Sequence, residues 1–191
     1  MSDTSTGNGK VVVNRAMSLD GFIAGPGDSM DWVFDFIAND TPWQKEAAAA
    51  TGAMLVGRRT VEVGTRREAD QERGTESRDE GYPFYGPVFV LTHQPPDPPD
   101  PDVTYLTGDI GEAVATALKA AGGKDLQILG ADVAGQCLQR GLVDEILVSV
   151  VPVLLGDGIR FSAPGVARID LEPVSSTQAG DITILRFRVR K

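Results

Sequence analysis

Two stretches of this chain carry groups suited to holding an anionic ligand. In the first, the apolar run Leu126 to Leu129 turns at Gly130-Ala131, and a helix opens at Asp132, whose carboxylate can cap the free N–H groups of the first turn. A strand that runs through a tight turn into a helix presents unpaired N–H donors and the positive end of the helix dipole, which suits a phosphate. The same corner is equally plain α/β packing, because a full G-x-G-x-x-G is absent. In the second stretch, Ala53 to Val56 reads as a short buried strand, and Gly57-Arg58-Arg59-Thr60 lies at the turn into a helical piece from Val61 to about Gly64. Adjacent arginines there could form surface ion pairs, but an arginine at a helix N-terminus works against the dipole unless an anion is present.

Two further strand ends contribute side chains. The run Lys10 to Met17 (KVVVNRAM) reads as a central strand covered on both faces, since Val11, Val12 and Val13 are consecutive. From its end Asp20 leaves directly into the glycine-rich loop Ser18 to Asp28, either as an Asx-type turn residue or as a displayed carboxylate. The strand Pro87 to Leu91 ends at Thr92-His93, adding a hydroxyl and an imidazole. Trp32, in the apolar segment Trp32 to Ala38, could wall a planar ligand or simply fill the core. Metal and thiol chemistry lack support. The single Cys137 reads as a small apolar helix residue, His93 is the only histidine, and no zinc ligand set exists.

The elements that would position these groups follow from periodicity. Thr41-Pro42 caps a helix from Trp43 to about Thr51, and Ile110, Val114, Ala117, Leu118 and Ala121 form one face of a helix ended by Gly122-Gly123. Val103 to Leu106 is another short strand, reached from His93 through the stiff polyproline-like Gln94 to Asp100. The helix after Gly130 ends at Gly141, and Val143 to Leu155 is a long β-branched run. Arg168 to Val174 and Ile182 to Val189 read as an antiparallel hairpin joined by a polar turn. The mixed-charge segment 65–86 reads as a solvated insertion or flap, in which Tyr82, Phe84 and Tyr85 could close over a ligand.

Strands and helices alternate through residue 141 and strands alone follow, which implies an α/β domain with a mostly parallel sheet and an antiparallel end. Ligands of such sheets bind at the carboxyl ends of the strands. If those ends share one rim, four loops converge there with groups fit for a phosphorylated nucleotide.

Composition sets outer bounds. The 191 residues, 41% of them apolar, suffice for one core, so a single domain over 10–191 is expected after a disordered tail through Gly9. A net charge of −9 argues against nucleic acid and anionic lipid as partners. No run approaches the ~18 apolar residues of a membrane span, and the N-terminus lacks the features of a signal peptide. A cytoplasmic location is expected.

Taken together, SLDGFIAGPGD (Ser18 to Asp28), GRRT (Gly57 to Thr60), VLTH (Val90 to His93), ILGADVAGQCLQRGLVDEI (Ile128 to Ile146) and PVLLGDG (Pro152 to Gly158) resemble the dihydrofolate-reductase-like family. The branch is that of the C-terminal reductase domain of bacterial riboflavin biosynthesis. The resemblance implies a central sheet of about eight strands, NADPH as cofactor, and hydride transfer to a small planar heterocycle or a carbonyl or imine compound, pterin- or flavin-precursor-like. The alternative is an NADP-binding module or dimeric scaffold without turnover. Carried over by position, the resemblance makes Gly57, Arg58, Arg59 and Thr60 a cofactor phosphate corner, and sets Leu91, Thr92 and His93 near the adenosine 2′-phosphate. Leu129, Gly130, Ala131, Asp132 and Val133 would lie along the pyrophosphate. Ala16 and Ile23 would flank the nicotinamide, with Asp20 facing the substrate for hydrogen bonding or proton relay. A homodimer is implied, and the terminal strands offer edges for it.

Overall fold

The computed structural model describes residues 9–36, 41–64, 84–162 and 165–191. The first half contains β1 (Val11–Ser18), β2 (Phe22–Ala24), a 3₁₀ turn (Pro26–Asp28), α1 (Asp31–Phe34), α2 (Pro42–Ala50) and β3 (Thr51–Gly57). Residues 58–64 are helical and form α3. There follow β4 (Val88–Leu91), β5 (Val103–Leu106), α4 (Ile110–Ala120), β6 (Asp125–Leu129), α5 (Ala131–Gln139), β7 (Glu145–Val151), β8 (Ile159–Arg160), β9 (Leu171–Ala179) and β10 (Ile182–Val189).

Eight strands form one sheet in the order β5-β4-β3-β6-β1-β7-β10-β9, and β2 pairs with β8 apart from it. From β5 to β7 every neighbouring pair is parallel, whereas β10 is antiparallel to both β7 and β9. The expected α/β architecture is therefore present, with its antiparallel end. Parallel neighbours cannot be joined by a tight turn, so α4 and α5 serve as crossovers before β6 and β7. The valines of β1 suit its central position, since β-branched side chains pack well on a pleated surface covered on both faces.

The main core lies where α4 and α5 cover the sheet. Val13, Leu55, Leu126 and Ile128 meet the α4 stripe Ile110, Ala113, Val114, Ala117 and Ala121 there, all buried. Asp109 starts α4 by accepting hydrogen bonds from the N–H groups of Gly111 at 2.7 Å and Glu112 at 3.4 Å. A second cluster, around Trp32, Val33, Val151 and Ile182, includes Ala16 and Trp43. Among the described residues no helix is long and apolar enough to cross a membrane.

Several boundaries differ from expectation, each for a local reason. The run expected over Val143 to Leu155 is a strand only from Glu145 to Val151. After Val151 the backbone turns, and the Leu155 N–H goes instead to the carboxylate of Asp20. The expected polar turn of the hairpin is part of β9, where Ser175, Ser176, Thr177 and Gln178 pair with β10, and Gly180-Asp181 makes the turn. A strand largely exposed on both faces carries no alternation to betray it. The pair β2 and β8 is too short to leave a periodic signal. The segment 65–83, with Tyr82, and the tail through residue 8 lie outside the described residues.

Candidate functional site

The parallel pairing brings the predicted corners together. Leu91 of β4 is in register with Gly57 of β3, and Val56 with Leu129 of β6, so Thr92, Arg58 and Gly130 all leave from one rim. A Cβ placed on Gly57 would lie 3.2 Å from Cγ2 of Val133, and one on Gly130 would lie 2.6 Å from Oγ1 of Thr60. The corners Gly57–Thr60 and Gly130–Val133 are therefore in van der Waals contact.

Gly130 is the N-cap of α5, with φ 90° and ψ 135°, a conformation that side chains disfavour. That backbone turns the chain off β6 and leaves the first N–H groups of α5 without side-chain caps. The expected cap by Asp132 is corrected. Its carboxylate accepts from Nε2 of Gln136 at 2.8 Å within the helix, which begins at Ala131. Val133 is buried in the main core, so only its backbone can face a ligand, while Leu91 and Leu129 pack against apolar clusters.

The arginines have local partners. Arg58 pairs with Glu62 at 3.3 Å, one helical turn away, and Arg59 pairs with Asp28 at 2.8 Å. The second pair ties the loop after β1 to the Gly57–Thr60 corner, and Asp28 itself takes a positive φ of 66°. Both arginines are solvent-exposed, but Asp28 is only 13% exposed, so the Arg58–Glu62 pair is the one a ligand phosphate could exchange at little cost. Thr92 spends its hydroxyl on a turn, donating to the carbonyl of Gln94 at 3.1 Å and accepting from its N–H at 3.3 Å. His93 is exposed beside it.

Asp20 is engaged within the fold. Its carboxylate accepts from Ser18 Oγ at 2.6 Å, from the Leu155 N–H at 3.1 Å and from the Gly156 N–H at 2.7 Å. These bonds clamp the loop after β1 to the segment after β7, which joins two of the motifs that carried the resemblance. The Ser18 bond first, then those from Gly156 and Leu155, hold its pKa down at about 2 against a burial effect of opposite sign. These bonds make the carboxylate a brace for the loop after β1. Trp32 is also a core residue rather than a wall: it is 9% exposed, and its Nε1 donates to the Ser29 carbonyl at 3.2 Å. Ala16 lies beside it in the second cluster, and Ile23 is half-buried in β2.

One residue escaped sequence reasoning. Arg15, in the middle of β1, is only 7% exposed, donates from Nη2 to the Gly130 carbonyl and lies over the Phe161 ring at 5.5 Å. Its Nε and Nη1 are buried without an acceptor among the described residues. The signal was available, because a charged residue in a strand expected to be covered on both faces demands a partner. Elsewhere, Lys45, Ala48, Thr51, Gly52, Tyr85, Lys124 and neighbouring residues line an open cavity of about 520 Å³. These residues flank the starts of β3, β4 and β6, at the opposite rim. The convergence of the predicted corners on one rim, not the size of a depression, marks the candidate site.

A family model described as RibD C-terminal domain matches residues 9–185. The chain belongs to the RibD C-terminal domain family. Among relatives of this RibD-type domain, Uncharacterized protein YwjB of Bacillus subtilis (strain 168) is 26% identical over 152 residues, covering 78% of this chain and 80% of its own. A candidate riboflavin biosynthesis protein from Shewanella sp. PV-4 has a similar structure, with a TM-score of 0.78 at 22% identity, covering 95% of this chain and 99% of its own. The diaminohydroxyphosphoribosylaminopyrimidine deaminase/5-amino-6-(5-phosphoribosylamino)uracil reductase of Thermotoga maritima aligns at 0.65 and 16% identity, over 96% of this chain and 57% of its own. These likenesses establish the fold that the RibD-type sequence adopts. The residues at its rim also fit a pyrophosphate, since helix N–H groups without side-chain caps meet guanidinium donors that have no acceptor among the described residues.

Two measurements probe this geometry. Gly130→Ala is expected to destabilise the fold by about 1–3 kcal/mol in urea denaturation, from φ strain and the clash with Thr60. Adding Thr60→Ala should recover the clash component alone; an unperturbed single variant would contradict the geometry. The Asp20 clamp has a folded-state pKa below the ordinary 3.8, so its stabilisation is complete above that value and is lost as pH falls toward about 2. Asp20→Asn should therefore flatten the acid limb of a denaturation series run from pH 5 downward, and an unchanged slope would refute the clamp.

Proposed function

We propose that this chain is an NADPH-dependent reductase that delivers hydride to a small planar heterocycle or a carbonyl or imine compound. The observation that carries the reading is the contact between the α5 N-terminus at Gly130–Val133 and the Gly57–Thr60 corner on one rim of a parallel sheet. Family membership supports a reductase of the riboflavin-pathway type.

Bound NADPH supplies the hydride, so the protein's tasks are binding, orientation and exclusion of water. The free N–H groups of Ala131, Asp132 and Val133 would hold the pyrophosphate, and Arg58, Arg59 and Thr92 with His93 would serve the remaining phosphate. Ala16 and Ile23 would flank the nicotinamide. Asp20 fixes the loop between them through Leu155 and Gly156. With the Asp20 carboxylate held by Ser18, Leu155 and Gly156, the proton that accompanies hydride addition to a C=O or C=N bond would come from another donor.

That last point favours a second reading, a cofactor-binding module without turnover, because the loop's carboxylate is fully engaged in structure. Titrating NADPH and NADH while following tryptophan emission tests the binding step common to both readings, since Trp32 and Trp43 share a cluster with Ala16. NADPH is expected to bind more tightly, and Arg58→Ala with Arg59→Ala should remove that preference, roughly tenfold or more. Equal or absent binding of the two nucleotides would contradict the site. Oxidation of NADPH with a panel of pterins, flavins and quinones then separates enzyme from module.

We also propose a homodimer through the edge strand β9, which runs for nine residues and exposes Leu171 and Val174. Sedimentation is expected to give twice the 20.3 kDa chain mass, and a monomer would overturn the proposal.

A further inference from the structure

Among the described residues the buried charges are paired with one exception. Glu145 on β7, 4% exposed, accepts from Lys10 Nζ at 2.6 Å and lies 3.6 Å from Arg186 Nη1. Arg15, one strand away on β1 and equally deep, has no carboxylate partner among the described residues. The two carboxylates nearest in the sequence of the rim are otherwise engaged, Asp20 with Leu155 and Gly156, and Asp132 with Gln136. Cys137 lies close enough to influence Arg15, but burial pushes its thiol up to about 12 and it carries no charge at neutral pH.

An unpaired guanidinium under the N-terminus of a helix adds like to like, since the dipole there is also positive. Burial alone is enough to pull Arg15 down to about 10. A buried cation is tolerated when a counter-charge and acceptors for its N–H groups are supplied. The topology says where they would come from. The β1–β6 pairing ends at Val13 and Ile128, β6 then turns away at Gly130, and β1 continues to Ser18 beside β7 alone. Arg15 therefore lies at the split between the two strands, with one donor on Gly130 and two remaining.

We infer that Arg15 is an anion-binding residue, whose free Nε and Nη1 donors take a phosphate oxygen of a pyrophosphate-bearing ligand seated at the α5 N-terminus. In deepening the cofactor reading, this rests on it for the identity of the ligand but not for the anion site. The guanidinium then has two tasks: it braces the Gly130 peptide from beneath through Nη2, and it supplies the positive charge that the acidic chain otherwise lacks at this depth. Binding brings the charge partner that the described residues do not provide.

The test compares wild type with Arg15→Met, which keeps the length of the side chain and removes its charge, and with Arg15→Lys, which keeps the charge. Calorimetry at low salt would measure inorganic pyrophosphate first and NADPH second. Wild type is expected to bind pyrophosphate roughly tenfold or more tightly than Arg15→Met, with Arg15→Lys between them. Thermal denaturation without ligand should give Arg15→Met a Tm at or above that of wild type, because an uncompensated charge has been removed. Equal pyrophosphate affinities, no pyrophosphate binding to wild type, or a large fall in the Tm of folded Arg15→Met would each overturn the inference. If Arg15→Met does not fold, Arg15→Gln replaces it in the same comparison. Arg15-dependent pyrophosphate binding without NADPH binding would retain the anion site and sink the cofactor reading. NADPH binding of equal strength to wild type and Arg15→Met would do the reverse.

Discussion

Parallel strand pairing is the constraint on which the rest of this molecule depends. Because β4, β3, β6 and β1 run in one direction, each must end on the same rim, and each is followed by a loop or a helix N-terminus. Chain segments more than 100 residues apart in sequence, such as the ends of β1 and β6, are brought together by this rule. The split after Val13 and Ile128 then opens the sheet at its centre. Ligands of open α/β sheets bind at such places because backbone donors are exposed there without disturbing the hydrogen-bond ladder.

Electrostatics adds a second requirement. With a net charge of −9, the protein attracts an anion only where cations and helix dipoles outweigh its background. Exposed Arg58 and Arg59 sit on the rim paired with Glu62 and Asp28, while Arg15 sits beneath it with no carboxylate partner among the described residues. Asp20, in the loop after β1, is bound by backbone N–H groups and a serine hydroxyl and so clamps that loop to the segment after β7. The loop that would cover a ligand is held at two points, by Asp20 to Gly156 and by Asp28 to Arg59.

The sheet and its corners were legible in the sequence because burial writes itself into composition. Consecutive valines marked β1, and glycines at the ends of β3 and β6 marked turns where a Cβ does not fit. Individual side-chain roles were less legible. Asp20 was visible as a carboxylate at a strand end, but its acceptance of the Leu155 and Gly156 N–H groups depends on a register between β1 and β7 that no local pattern encodes. Asp132 had the right type for a cap, yet Gly130 already occupied the cap position with a left-handed backbone. The polar stretch Ser175 to Gln178 lacked alternation because β9 is an edge with little to bury. Arg15 was passed over because the three valines that open the strand made it read as apolar, although its charge was the anomaly that pointed to the site.

The central claim is that the carboxyl rim, at the contact of the Gly57 and Gly130 corners, is where a dinucleotide binds. Amide-resolved NMR of the labelled protein during addition of NADPH examines this directly. The account requires the largest shifts at the N–H groups of Gly57 to Thr60 and Ala131 to Val133. Shifts confined to Gly52, Gly86 and Lys124, around the cavity at the opposite rim, would contradict it.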